Sequence, residues 1–348
     1  MDSKQALVCL CECTAPSGFE GPVAQAAAAL LSTLVDNVSI DRMGNVIGVR
    51  YCGRPNAKRL LLDAHLDEIG LMVTGVEDGF LRFCSIGGID PRMLPDRELL
   101  ILTDPPIPGV VACLPPHLQS KEESGTAVPI KDLFIDIGMT HDQAVQRVPV
   151  GTPAVFRARC MPLGETQMCG KSMDDRACFV TLLRAVELLA SKPLDVDLYL
   201  LGSVQEETSG AGAKTGAFAL QPDYCVAVDV THGITPDGPK HKTFSLGGGP
   251  AIGVGPNMAG WMSDRLMAKA KAEQIPFQTE VMTGHTGTNG WHFQISREGI
   301  PTAIVSLPLK YMHSPIEVVS LEDIEQVARL LAAFTFQLGS EEVDRCGN

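Results

Sequence analysis

Residues 174–207 read DDRACFVTLLRAVELLASKPLDVDLYLLGSVQEE. From Asp174 to Lys192 apolar residues recur at helical spacing, which predicts a long amphipathic helix. DLYLLGSVQ (197–205) is a short apolar run of the buried-strand kind. The alternation continues toward the C-terminus. YCVAVDV (224–230) reads as a strand, SDRLMAKAKAEQ (263–274) as a helix, PTAIVSLP (301–308) as a strand and SLEDIEQVARLLAAFTFQL (320–338) as a closing helix. Strands alternating with helices imply an α/β layer fold around a largely parallel sheet. The N-terminal segment repeats the mixture. Residues 3–14 look helical, and Ser17 and Glu20 have capping-box spacing ahead of a second helix at 22–35. VSIDRMGNVIGVRY (38–51) reads as a hairpin turning at Asp41 to Gly44, and KRLLLDAHL (58–66) opens with a buried strand.

Between these parts the composition changes. Residues 68–163 hold 11 of the 24 prolines, so the stretch cannot be helix-rich. Its apolar runs, GLMVTGV, FLRFCSI, LLILT and DLFIDIG, are short and β-like. The economical arrangement is one α/β domain, 1–67 and 164–348, interrupted by a β-rich insertion at 68–163.

At 348 residues the chain has room for about two domains. Its 45% apolar and 20% charged content is that of a globular protein. A net charge of −13 repels phosphate backbones and argues against a nucleic-acid partner. No apolar run approaches the roughly 18–20 residues that span a bilayer, so no membrane partner is expected. The opening MDSKQALVCLCEC lacks the basic n-region and long apolar stretch of a signal peptide. Eleven cysteines with no CxxC pair fit reduced thiols and a cytoplasmic location. The cluster Cys9, Cys11, Cys13 could serve metal or redox chemistry, but small buried core residues are the favoured reading.

Sites in open α/β sheets collect beyond the carboxyl ends of strands. That rule selects His65, Asp67 and Glu68 after LLLDA, Glu206 and Glu207 after LYLLGSVQ, Asp229 after YCVAV, and His313 after TAIVSLPLKYM. Asp174 and Asp175 sit where the GKSM loop enters its helix. Two histidines and three carboxylates can hold two divalent ions, one carboxylate bridging them. Imidazole and carboxylate donors suit Zn²⁺, with Co²⁺ or Mn²⁺ as alternatives. A spare carboxylate could act as general base toward the attacking water. Each residue also has a plainer explanation. His232 competes with His65 and His313 for position, Asp174 and Asp175 could be N-terminal helix carboxylates, Glu206 and Glu207 a solvated pair, and Asp67 a turn residue.

Six segments settle the choice when taken together: DAHLDEIGLMV, KSMDDR, VQEETSGAGA, DVTHGITPD, GGGPAIGVGPN and YMHSPIE. In this order and spacing the chain resembles the glutamyl- and deblocking-aminopeptidase family of dinuclear metallo-aminopeptidases, relatives of which are often labelled endoglucanase or cellulase. The resemblance runs through almost the whole chain. It implies a phosphorylase/hydrolase-like three-layer catalytic domain with a mixed central sheet, and a small barrel- or PDZ-like insertion used for dimerisation within a tetrahedral dodecamer. It implies a metal-activated water and peptide substrates. By motif, His65, Asp174 and Asp229 would hold the first metal and Asp174, Glu207 and His313 the second. Asp67 would orient His65, Glu206 would be the general base, and His232 would be a neighbour that binds no metal. Two departures stand out. Asn289, in GTNGWHF, occupies a place where relatives commonly carry Asp, and Lys310 stands where they usually have Arg. Acidic-residue specificity is therefore not carried over. The competing readings are a metal-free glycosidase, for which two Trp and four Tyr give few sugar platforms, and a non-catalytic metal-binding assembly protein.

Overall fold

The computed structural model describes residues 2–118 and 126–338. The chain begins with α1 (Ser3–Cys11) and α2 (Gly21–Leu31), then the hairpin β1 (Asn37–Ile40) and β2 (Val46–Arg50), then β3 (Lys58–His65). Asp41 makes the hairpin turn, its Oδ1 accepting from the backbone of Met43, Gly44 and Asn45. Six strands follow: β4 (Gly70–Glu77), β5 (Phe80–Ile86), β6 (Glu98–Ile101), β7 (Ile107–Ala112), β8 (Phe134–Asp136) and, after α3 (His141–Arg147), β9 (Pro153–Phe156). They close an antiparallel barrel in the order β4-β5-β8-β7-β6-β9, around its own core of Leu71, Leu81, Leu99, Ile101 and Ile135.

The chain then returns to the first sheet. It adds β10 (Met161–Leu163), β11 (Gln167–Gly170), α4 (Met173–Leu189), β12 (Val196–Ser203), α5 (Ala211–Leu220) and β13 (Tyr224–His232). It ends with β14 (Ala251–Val254), α6 (Gly260–Ala272), β15 (Gln278–Val281), α7 (Gly290–Gln294), β16 (Thr302–Lys310), β17 (Glu317–Ser320) and α8 (Leu321–Leu338). The resulting sheet is mixed. Its centre, β12-β3-β13-β16, is parallel, and antiparallel pairs extend it on both sides.

Alternation along each central strand builds the three layers. Leu60 and Leu62 face the core formed with α1, α2, α4, α6 and α8, while Leu61 faces the smaller core under α5 and α7. Both faces are covered, so these strands read as continuous apolar runs rather than alternating ones. α8 presents Ile324, Val327, Ala328, Leu331 and Leu338 to the core at helical spacing.

Three local readings are corrected. Ser17 and Glu20 form no capping box. Ser17 pairs with the Thr208 hydroxyl, and Glu20 Oε1 accepts from Gly18 N at 2.7 Å and Gln205 N at 3.0 Å. The carboxylate that would cap the helix is spent on a tertiary contact, and α2 starts at Gly21 with Pro22 in its first turn. The first helix, expected over residues 3–14, stops at Cys11, so Cys13 lies beyond it. Cys11 alone of the three is buried, and Cys9 is exposed. Asp174 and Asp175 have non-helical backbone, so regular helix begins after them.

Candidate functional site

The parallel register aligns the strand ends that matter. His65 closes β3 opposite Ser203, the last residue of β12. On the other side of β3, Ala227 of β13 pairs with Asp63, which brings Asp229 level with His65. Asp229 also pairs with Ser306 of β16, and His313 follows three residues past the end of that strand. His65, Asp174, Glu206, Glu207, Asp229 and His313 all line one cavity of about 270 Å³, as does His232. Asp67, fully buried, stands behind them.

Asp174 sits at the centre of this group. Its backbone is extended (φ −74°, ψ 103°), and its two carboxylate oxygens face different imidazoles. Oδ1 lies 3.1 Å from His65 Nε2, and Oδ2 lies 3.3 Å from His313 Nε2. Glu207 Oε1 is 3.2 Å from the same His313 nitrogen. Each imidazole is steadied from behind. His65 Nδ1 faces the Asp67 carbonyl at 3.2 Å, and His313 Nδ1 faces the Gly88 carbonyl at 2.7 Å. Asp67 accepts from both Glu206 N and Glu207 N at 3.1 Å, one on each oxygen, which fixes the backbone of the paired glutamates.

Two further residues belong to this geometry: Asp175, which the sequence offered beside Asp174 without a role, and Glu317, which it did not single out. Asp175 Oδ2 accepts from His65 N at 3.1 Å, and its carboxylate lies with His65 and Asp229 in a group whose donor atoms are all within 4.8 Å of one another. Glu317 accepts from Asp174 N at 3.1 Å and His313 N at 2.8 Å, tying the two ends of the cluster together. Glu317 closes the quoted motif YMHSPIE. Only its burial, visible in three dimensions, separates it from any other surface glutamate. The barrel also reaches the site, since Gly88 follows β5. The sequence reading gave that segment no such part.

The electrostatics follow from crowding. Burial raises Asp229, Asp175 and Glu317 well above the carboxylate range, and neighbouring carboxylates push the same way. Burial likewise pushes Glu206 up to about 8. Burial would raise Asp174 too, but the hydrogen bonds with His313 and His65 hold it far below the ordinary value. Desolvation would lower His313, yet Asp174 and Glu207 drive it up to about 11. A crowd of buried carboxylates around two imidazoles is a place that favours positive charge. The donor set, two ring nitrogens and several carboxylate oxygens, fits divalent cations of the zinc type. Asp175 Oδ1, buried with no hydrogen-bond partner, is a donor left open for one.

Asn289 does not line the cavity. It is buried, and its amide donates to Asp63 Oδ2 at 2.9 Å and Ser203 Oγ at 2.8 Å. The departure there is absorbed in the core beneath the site. The pocket wall is made by Thr286–Thr288 and by residues of β13 and β15.

The family model described as M42 glutamyl aminopeptidase matches residues 44–330. A lysyl aminopeptidase of Pyrococcus furiosus is 33% identical over 314 residues, covering 89% of this chain and 89% of that protein. An aminopeptidase structure from the archaeon Desulfurococcus kamchatkensis superposes with a TM-score of 0.88 at 34% identity, over 96% of this chain and 94% of that one. The TET1 peptidase of Pyrococcus horikoshii, described as able to assemble into a tetrahedron or a large octahedral shell, gives a TM-score of 0.84 at 30% identity, over 97% and 100%.

Proposed function

The chain belongs to the M42 glutamyl aminopeptidase family, and from that premise we propose that it is a two-metal aminopeptidase whose general base is Glu206. The observation that carries the reading is the shared Asp174 carboxylate, one oxygen toward each imidazole at 3.1 and 3.3 Å. His65, Asp174 and Asp229 would hold one ion, with Asp175 close enough to join them. Asp174, Glu207 and His313 would hold the other.

When bound, two divalent ions, Zn²⁺ in the first place, supply Lewis-acid polarisation of the scissile carbonyl and acidify water. The protein's own groups do the rest. Glu206 lines the cavity and belongs to neither proposed ligand set, which leaves its carboxylate free to take up and return a proton. It takes a proton from the attacking water and returns it to the leaving amine. Asp67 keeps that carboxylate in place through the Glu206 N–H. The cavity is small, about 270 Å³, and suits one terminal residue with its free amine.

The test is a panel of aminoacyl p-nitroanilides and their N-acetylated counterparts, with and without EDTA. Release from free-amine substrates alone, abolished by EDTA, is expected. Equal cleavage of acetylated substrates, or activity that survives chelation, would overturn the reading.

A further inference from the structure

One thiol of the N-terminal cysteine cluster meets a partner that sequence order hides. Cys11, the last residue of α1, is buried, and its Sγ lies 3.7 Å from both the Ser172 carbonyl oxygen and Met173 Sδ. Cys160 reaches the same place as the chain returns from the barrel. Met161 pairs with Cys169, and continuing that register sets Cys160 opposite Gly170. Gly170 has no side chain to hold it off: a Cβ there would sit 3.0 Å from Cys160 Cα and 3.3 Å from Cys160 Cβ. Paired residues share a face and successive residues alternate. Cys160 therefore faces the main core with Met168, while Cys169 turns the other way with the exposed Met161.

Both sulfurs thus pack against residues 170–173, and a side-chain hydrogen bond joins them. That bond gives the two thiols different characters. It holds Cys160 below its usual value, with Lys171 pulling the same way against burial. The same bond and burial drive Cys11 well above its usual value. Access divides them too. Cys160 is 8% exposed and Cys11 1%, so a small solute meets Cys160 first.

We propose that Cys11 and Cys160 form an oxidation site, a dithiol that hydrogen peroxide converts to a disulfide. The Cys160 sulfur attacks the peroxide and the O–O bond breaks, leaving a sulfenic acid at Cys160 and releasing hydroxide. The Cys11 sulfur then attacks that sulfenic acid. The S–S bond forms, the S–O bond breaks, and the departing hydroxyl leaves as water with the Cys11 proton. The two thiols are oxidised by two electrons in all, and one peroxide is reduced to two waters. Every barrel strand, β4 to β9, lies between the linked residues, so the bond closes a covalent ring around the insertion. It does so against Ser172 and Met173, the residues just before Asp174. The site needs neither metal nor peptide and stands apart from the aminopeptidase reading.

The experiment treats the folded native protein with a small excess of hydrogen peroxide, blocks the remaining thiols with N-ethylmaleimide in denaturant, and maps tryptic peptides by mass. Peptide 5–42 should appear joined to peptide 160–171, two hydrogens lighter than their sum, with fragment ions placing the bond at Cys11 and Cys160. Dithiothreitol should separate the two. In Cys11→Ser the resolving thiol is gone, so Cys160 should stay a sulfenic acid and be captured by dimedone. A bond through Cys9, Cys13 or Cys169 instead overturns the assignment, as does Cys160 that ends alkylated, or oxidised without a bond to Cys11. The native mapping needs no variant, so a misfolded substitution cannot shield the proposal.

Discussion

Asp67 shows how much of the site hangs on one buried side chain. Both its oxygens are taken by the N–H groups of Glu206 and Glu207, and His65 Nδ1 lies 3.4 Å from Oδ1. Asp67→Asn would turn an amide N–H against a backbone donor and loosen all three neighbours. Metal affinity should fall about 10–100-fold, read by competition with a chelating dye. Unchanged affinity would mean that Asp67 only packs. The strand-end rule found this residue and five of the six cavity-lining candidates, all but Asp174, because parallel register aligns positions that sequence order separates. It could not find Glu317, and it gave Asp175 no role. Their part depends on partners far away in the chain, such as Glu317 bonding Asp174 across 143 positions. Asn289 shows the converse. Its neighbours in sequence line the pocket, yet its own side chain turns inward to Asp63.

Among elements, the junction of α1, β3 and α4 is held by a buried ionic network. Lys171 Nζ donates to both oxygens of Glu68 at 2.7 and 2.8 Å, and Arg176 adds a bond at 3.2 Å. The same two cations bind the carbonyls of Cys13 and Leu10 at the end of α1. Desolvation would raise Glu68, but Lys171 and Arg176 outweigh it and hold the carboxyl below its usual value. A depressed acid stabilises the fold above its unfolded pKa, about 4.3 for glutamate, and loses that contribution as pH falls through the folded value. Glu68→Gln strands Lys171 in the interior and should cost about 3–5 kcal/mol in denaturant unfolding. The variant should also lose part of the acid-side decline. A loss under about 1 kcal/mol, the scale of an exposed pair, would contradict this. This network was invisible in the sequence, where the strand-end rule offered Glu68 as a site candidate; the structure instead spends it on Lys171 and Arg176. The helices and strands with strong periodicity were legible, α4, α8, β3, β12, β13 and β16 among them. α5 and the short pair β14 and β15 were not: AGAKTGAFAL is small and nearly featureless, and a strand of four residues carries little pattern.

At the scale of the whole molecule, the barrel leaves Val110, Val145 and Val150 exposed, and the nearby β10 adds Met161 and Leu163. Exposed apolar residues on the barrel and on the edge strand beside it in the chain are what a subunit interface would use. The chain should therefore sediment as a particle several-fold heavier than its own mass, and Val150→Lys with Val110→Glu should reduce it toward monomer without loss of helix signal. A monomeric native protein at assay concentration would contradict this. The barrel is tied to the site through the Gly88 carbonyl on His313, so if it also carries the subunit contacts, dissociation should weaken binding of the second metal. In the function proposed above, buried carboxylates and two imidazoles would gather two cations, and Glu206, binding neither, would move the proton. The most direct measurement strips the native protein and Glu206→Gln of metal and returns Zn²⁺ stepwise, following bound ions and release from a free-amine p-nitroanilide together. The account predicts two ions per chain in both proteins, with turnover recovered in the native protein and lower by about 10²–10⁴-fold in the variant. Turnover without metal, or a variant that recovers fully, would contradict it.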